Sequence, residues 1–430
     1  MVRKFICVLA ALCLLMTMVS GLAQAENITL KYVATGAGDW EGALEKCFAA
    51  FTEQTGINAE FECYQHDQLF QVIEVKVGAG GSEYDVLAVD VPMVAGYVEK
   101  GYLLPMDEYF TDEEKAIFVD AAIDAGTWNG QFYCPPMNTS AQLLYYNKDL
   151  LSQAGIEIPE ADPDNRLTWE QIYDMAEQTL AVVDPDGTNA IAGLSFEQIS
   201  RAYQMLALPN SLGEKSIGDD GYTVDGVINT DGWIKAMTFL YDVFDNGIGL
   251  RGTTAEEQSD RFIAGKTVFH VGGSWNSNRI TDDFEWGYTY HPAFEGYEDK
   301  VATPTGSWHF GIAAGTSHPD EAAELIKFMT IGEGSDIWLE ENGDVPARND
   351  KIDEILNNEE YATDFRKGIF RIAAYEAANT AYPRPVTPAY SEYENLLNNT
   401  MEDIRNGADP KTALDTCVMN TNSIMNKYRD

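Results

Sequence analysis

Residues 132–172, FYCPPMNTSAQLLYYNKDLLSQAGIEIPEADPDNRLTWEQI, change period partway along, and that change decides how the chain is read. Phe132 to Pro136 is short, aromatic and closed by two prolines, which lack a backbone N–H and suit neither a helix interior nor a central strand. The chain then restarts: Leu143 to Asn147 reads as a buried strand, Lys148 to Gln153 as one or two helical turns, and Gly155 as their stop. Thr168 before Trp169-Glu170-Gln171 reads as a capping-box helix start, with the acceptor at Gln171.

Upstream, Ile28 to Ala34 reads as a strand, Glu41 to Gln54 as a helix, Ala59 to Tyr64 as a strand and Asp67 to Val77 as a helix. In the first helix Leu44, Cys47, Phe48 and Phe51 fall on one face. Tyr84 to Val89 is a nearly continuous apolar strand. Such alternation predicts parallel, doubly wound sheets with helices on both faces, whose ligands lie beyond the carboxyl ends of the strands. Asp39, Trp40, Gln65, His66 and Asp90 sit just past such ends.

The order Tyr133-x-x-Pro136, then LLYYNKDLL, then AGI-x-x-P, then TWEQI resembles the extracytoplasmic solute-binding proteins of ABC transporters, in particular the carbohydrate-binding family that includes maltose-binding protein. The resemblance continues through Phe262-Ile263-Ala264-Gly265-Lys266 to Gly273-Ser274-Trp275, through Pro292 to Gly296, Gly306 to Ile312, and Gly343 to Arg348, and so covers the mature chain. It implies a two-lobed periplasmic-binding-protein fold of type II, each lobe a mainly parallel sheet flanked by helices, with the ligand cleft between lobes. The expected division is residues 26–135 plus 293–343 in one lobe and 136–292 plus 344–430 in the other.

Composition agrees with an exported receptor. Met1 to Lys4, the apolar run Phe5 to Val19 and Ala23-Gln24-Ala25 are the three parts of a signal peptide cleaved near Ala25; no other stretch is apolar enough to span a bilayer. Ala10-Ala11-Leu12 before Cys13 is a poor lipid-anchor signal. With 28 basic and 69 acidic residues the formal charge is −41, which argues against nucleic acid and anionic membranes as partners. The length predicts two domains. The mature cysteines, Cys47, Cys63, Cys134 and Cys417, form no metal-ligand spacing; Cys47 reads as a buried hydrophobe, with a Cys47–Cys63 bridge as the alternative. No cofactor is expected, and Asp184-Pro185-Asp186-Gly187 reads as a turn that lacks the closing acid of a calcium loop.

The function implied is the substrate-binding component of an import system: a monomer without enzymatic activity that closes on a sugar or oligosaccharide and delivers it to membrane permease subunits. Sugars present hydroxyl rims and apolar C–H faces, so the site should combine aromatic plates with carboxylates and amides. The candidates are Asp39, Trp40, Gln65, Asp90, Asn138, Ser140, Phe196, Trp275, Trp308, Arg348 and Tyr390, with a buried-core, helix-capping, hinge or ion-pair role as the plainer alternative at each. The competing classes are a secreted carbohydrate-active enzyme, which needs a carboxylate pair, and a same-fold receptor for an anion or metal, for which Arg279, Arg348 and Arg384 are the suggestive cations. No HExxH, GxSxG or phosphate-binding loop is present.

Overall fold

A computed structural model describes residues 28–36 and 40–429. The signal segment and Asp39 lie outside the described residues. Among the described residues the chain builds two main sheets; one packed core serves the first, and the second carries a core on each face. In the first, β1 (Thr29–Ala34) pairs in parallel with β2 (Asn58–Cys63) and β3 (Val86–Asp90), and β11 (Trp308–Ile312) closes the edge antiparallel to β3, with Trp308 opposite Asp90. The helix Glu41–Thr55 buries Leu44, Cys47, Phe48 and Phe51 on one face, as its spacing predicts. It ends where Gly56 takes the left-handed conformation, φ 77°, which costs glycine nothing.

The small ribbon of β4 (Thr127–Trp128) and β5 (Gln131–Phe132) leads into the first crossing. Beyond it β6 (Ser140–Asn147), buried along its whole length, becomes the centre of the second sheet. It runs antiparallel to β8 (Thr267–Gly273), β9 (Trp286–Thr289) and β10 (Thr303–Gly306); β7 (Ala192–Phe196) lies parallel to β8, and β12 (Ala381–Tyr382) parallel to β10. The second sheet is therefore mixed, whereas the expectation was of mainly parallel order. The three antiparallel partners of β6 are all distant in sequence, so no local pattern records their direction. A second difference concerns Pro292–Gly296. Phe294 belongs to the core of the second sheet, and β10 is still paired to β6, so the chain passes between sheets at Ser307 rather than at residue 293.

Local signals hold elsewhere. Thr168 Oγ1 accepts from Gln171 N at 3.2 Å while Gln171 Oε1 accepts from Thr168 N at 2.9 Å, the reciprocal capping box that starts the Trp169–Val183 helix. The carboxylate of Asp184 takes the amides of Thr188 and Ala190 and the Thr188 hydroxyl, so its oxygens serve the loop itself. Cys47, Cys63, Cys134 and Cys417 are free thiols, Cys63 half-buried and the other three buried; burial pushes the Cys47 thiol up to about 12.

Candidate ligand cleft

Three chain segments cross between the sheets side by side. Met137 N donates to Trp308 O and Thr139 N to Val345 O, both at 2.8 Å, and Ser140 Oγ donates to Gly306 O at 2.9 Å. Asn138 ties all three together. Its Oδ1 accepts from Trp308 N at 2.9 Å, its Nδ2 donates to Asp344 Oδ2 at 2.8 Å, and its carbonyl accepts from Ser307 Oγ at 2.7 Å. The Asn138 amide is thus spent on the crossings, although Asn138 also borders the cavity.

A cavity of about 860 Å³ opens beside these crossings, bounded by both sheets. Its walls follow the carboxyl ends of β1, β3, β7 and β8 and the start of β11, where a doubly wound sheet leaves room for a ligand. On the first-sheet side, Gly36, φ 78°, turns the chain after β1 so that Trp40 N reaches Gly36 O at 2.8 Å; a Cβ on Gly36 would meet the indole at 2.4 Å. Trp40 stands edge-on to Trp308, ring centres 5.8 Å apart, and to Trp338 at 5.0 Å, while His66 meets Trp308 edge-on at 5.9 Å.

Asp90 ends β3 and is buried. Arg384, 294 residues later and on the second-sheet side, holds it with both guanidinium nitrogens, Nη1 to Oδ2 at 2.9 Å and Nη2 to Oδ1. Arg384 also lies over the Tyr203 ring at 5.1 Å, and His66 Nε2 is 3.8 Å from Asp90 Oδ2. Burial by itself would raise the Asp90 carboxyl, but Arg384 and His66 together outweigh it and hold the group well below the usual carboxylate range. Among the described residues no cation is paired with Asp344. Burial pushes it up to about 6 against the hydrogen bonds from Asn138 and Asn342.

The second-sheet side is built from the helix Tyr390–Arg405 and the turns after β7 and β8. The helix turns Tyr393, Leu397, Met401 and Ile404 inward. Tyr390, Ser391, Glu394, Asn395 and Asn398 border the cavity, a polar stripe at helical spacing. Tyr390 donates to Glu394 Oε1 at 3.1 Å, and burial raises the Glu394 carboxyl. Trp275, on the short turn Ser274–Asn278 after β8, donates from Nε1 to Glu197 Oε1 at 2.8 Å.

Of the residues expected at the site, the cavity brings together Trp40, Asp90, Asn138, Ser140, Trp275, Trp308 and Tyr390. Three lie outside its wall. Phe196 points into the second core, 1 % exposed, and Gln198, two residues later, is the first after β7 to border the cavity. Gln65 precedes the helix His66–Lys76, and His66 is the residue that borders the cavity. Arg348 is engaged by Asp350, Nε to Oδ1 at 3.0 Å and Nη2 to Oδ2 at 2.6 Å, and by Ser335 Oγ at 3.0 Å. Sequence reasoning did not include Arg201, Tyr203, Glu394, Asn395, Asn398 and Asp344 among the site residues, and weighed Arg279 and Arg384 only as cations of an anion receptor. The polar stripe of the last wall was the available signal, but such a stripe ordinarily faces solvent.

Comparison with known proteins adds the lineage. The family model described as bacterial extracellular solute-binding protein matches residues 46–364. A chain of Brucella abortus (strain 2308) named as a binding protein is 24% identical over 434 residues, covering 97% of this chain and 98% of its own length. The maltotriose-binding protein of Pyrococcus abyssi is 24% identical over 375 residues, 85% of this chain and 73% of that one. Among solved structures, an ABC substrate-binding protein from Listeria monocytogenes in complex with cycloalternan superposes with a TM-score of 0.79 at 22% identity, covering 93% of this chain and 100% of that one.

Proposed function

The chain belongs to the bacterial extracellular solute-binding proteins, and from that premise we propose that it captures a sugar or oligosaccharide outside the membrane for an ABC import system and hands it to the permease subunits. The observation that carries this reading is the chemistry of the cleft. Three indoles and His66 stand among hydroxyl and amide groups in a cavity toward the upper end of the ~300–1,000 Å³ typical of small-molecule sites. That is room for more than one sugar ring, with C–H faces on the indoles and hydroxyls on the Tyr390–Arg405 helix. The named ligands of the similar proteins, maltotriose and cycloalternan, are of the same class.

The charged groups at the site are largely occupied, which favours an uncharged guest. Arg384 is committed to Asp90 and Arg279 Nη1 is 3.8 Å from Glu197, while Arg348, outside the wall, is committed to Asp350. An anion receptor would need them available. The carboxylates are engaged as well: Asp90 by Arg384, Asp344 by two asparagines, Glu341 by Lys46 and Glu394 by Tyr390. A glycosidase needs one carboxyl poised to protonate and another to attack or activate water, so we read the protein as a receptor without turnover.

Capture then works by population shift: a guest that touches both walls stabilises the closed arrangement of two lobes linked by three adjacent crossings. The same reading takes residues 1–25 as a cleaved export signal and the mature protein as a monomer. Among the described residues no helix is long and apolar enough to cross a membrane. Calorimetry against glucose, maltose, maltotriose, maltotetraose, cycloalternan, phosphate and divalent cations tests the proposal. Saturable binding of a glycan, with a smaller radius of gyration by X-ray scattering, is the expected result. Binding of phosphate or a cation alone, or release of shorter glycans during incubation, would overturn it.

A further inference from the structure

Glu197 does not border the cavity, yet its carboxylate is devoted to the group that does. It directly follows β7, is 6 % exposed, and accepts three hydrogen bonds at 2.8 Å: Trp275 Nε1 on Oε1, and Gly273 N and Asn276 Nδ2 on Oε2. All three partners donate, so the site calls for acceptors on both oxygens. A glutamine would turn an N–H₂ toward one of these donors. The ring is fixed a second way, because a Cβ on Gly273 would lie 2.2–2.3 Å from indole carbons. The indole therefore lies flat against the Gly273 backbone, its N–H edge is held by Glu197, and it also borders the cavity.

Burying a carboxylate is costly, and burial does raise this one despite its donors and Arg279. A purely packing role for Trp275 would not require it, as Trp40 and Trp308 pack on other rings. We propose that Glu197 is a positioning residue that sets the attitude of Trp275 in the cleft and, as an anion on the indole N–H, makes its π face more electron-rich. Such a face favours the weakly positive C–H groups on the flat side of a neutral sugar ring and disfavours anionic guests. This inference rests on the glycan-receptor reading for its ligand.

The test is a double-mutant cycle with E197Q and W275F, which keeps a ring while deleting its N–H, read by calorimetry against the glycan the parent binds. E197Q alone should weaken binding roughly three- to tenfold, the effect of losing one charge-assisted hydrogen bond. On the W275F background the same change should alter Kd less than about twofold, because the group it acts through is gone. A ligand-free readout keeps the two proposals apart. In a ¹⁵N-tryptophan spectrum of the full mature chain, the indole N–H resonance that disappears in W275F should move upfield in E197Q while the signals of the other tryptophans hold. Equal weakening in both backgrounds, or an unmoved resonance, overturns the positioning role. If the parent binds no glycan, the receptor reading falls, and the resonance alone decides whether Glu197 anchors the ring.

Discussion

The two walls of the cleft are built on different principles. On the first-sheet side Trp40, Trp308 and His66 are placed by one another and by Trp338, ring edge against ring face. On the second-sheet side Trp275 borders the cavity against a glycine and is tethered by the buried Glu197, next to a helix that presents hydroxyls, amides and a carboxylate. Packing is non-directional and needs many partners; a hydrogen bond is directional and needs one. A ring that lacks neighbouring rings must therefore be aimed by a polar group. Among the described residues the two walls are joined by a strong contact, Asp90 with Arg384.

That contact is where the comparison breaks most easily. Arg384→Ala leaves Asp90 buried without its cation, and urea unfolding should show a loss of about 3–5 kcal/mol. Arg348→Ala, whose partner Asp350 is exposed, should cost under about 1 kcal/mol. Similar losses for both would mean that the walls are not joined where the geometry joins them.

Acid should loosen both sheets together. Burial pushes His270 and His291 down to about 3 and His309 down to about 4, so each is neutral when folded and protonates on unfolding below its ordinary 6.5. For these groups stability falls as pH drops from about 6.5 toward 4. Asp344, raised to about 6, has the opposite sign and gains stability as pH falls from about 6 toward 3.8. Three protons taken up on unfolding against one released leave a net loss from these four groups of about 2–3 kcal/mol per pH unit near pH 5. Thermal melts at pH 7, 6 and 5 check the sign, and Asp344→Asn should steepen the decline.

Smaller effects separate the walls by affinity. Trp308→Ala and Trp275→Ala should each weaken glycan binding by about 1–3 kcal/mol, as expected for a lost aromatic contact. Trp308→Ala should in addition lower the melting temperature, since Trp40 and His66 lose a neighbour. Asn395→Ala, on the exposed polar stripe, should cost about 0.5–1.5 kcal/mol of affinity and leave unfolding unchanged. A loss at Asn395 as large as that at the tryptophans would show that hydrogen bonds rather than ring faces dominate.

How far the site could be read in advance follows from the same contrast. Trp40, Trp275 and Trp308 stand next to short polar residues at strand ends, and Asp90 ends an apolar strand two residues before Pro92, a local and visible signal. Ser391, Glu394, Asn395 and Asn398 were invisible as a wall, because a polar helical stripe reads the same whether it faces a cleft or bulk water. Gln65 lies one residue before His66, and Phe196 two residues before Gln198, the residues that border the cavity. Ser195, Phe196 and Glu197 are all buried, so the cleft begins only where the chain has turned past the strand end, a point that no local property of these three residues marks.

By itself the sequence determined the alternation of strand and helix, the Thr168 capping box, the free run of β6 after two prolines and the strand ends where rings gather, because each depends on neighbours a few residues away. Tertiary structure alone decided that β10 stays with β6 until Ser307, that β6 runs against three distant strands, and that Arg384 meets Asp90 across 294 residues. Those outcomes depend on which surfaces pack once the whole chain is collapsed, and no local period or propensity encodes them.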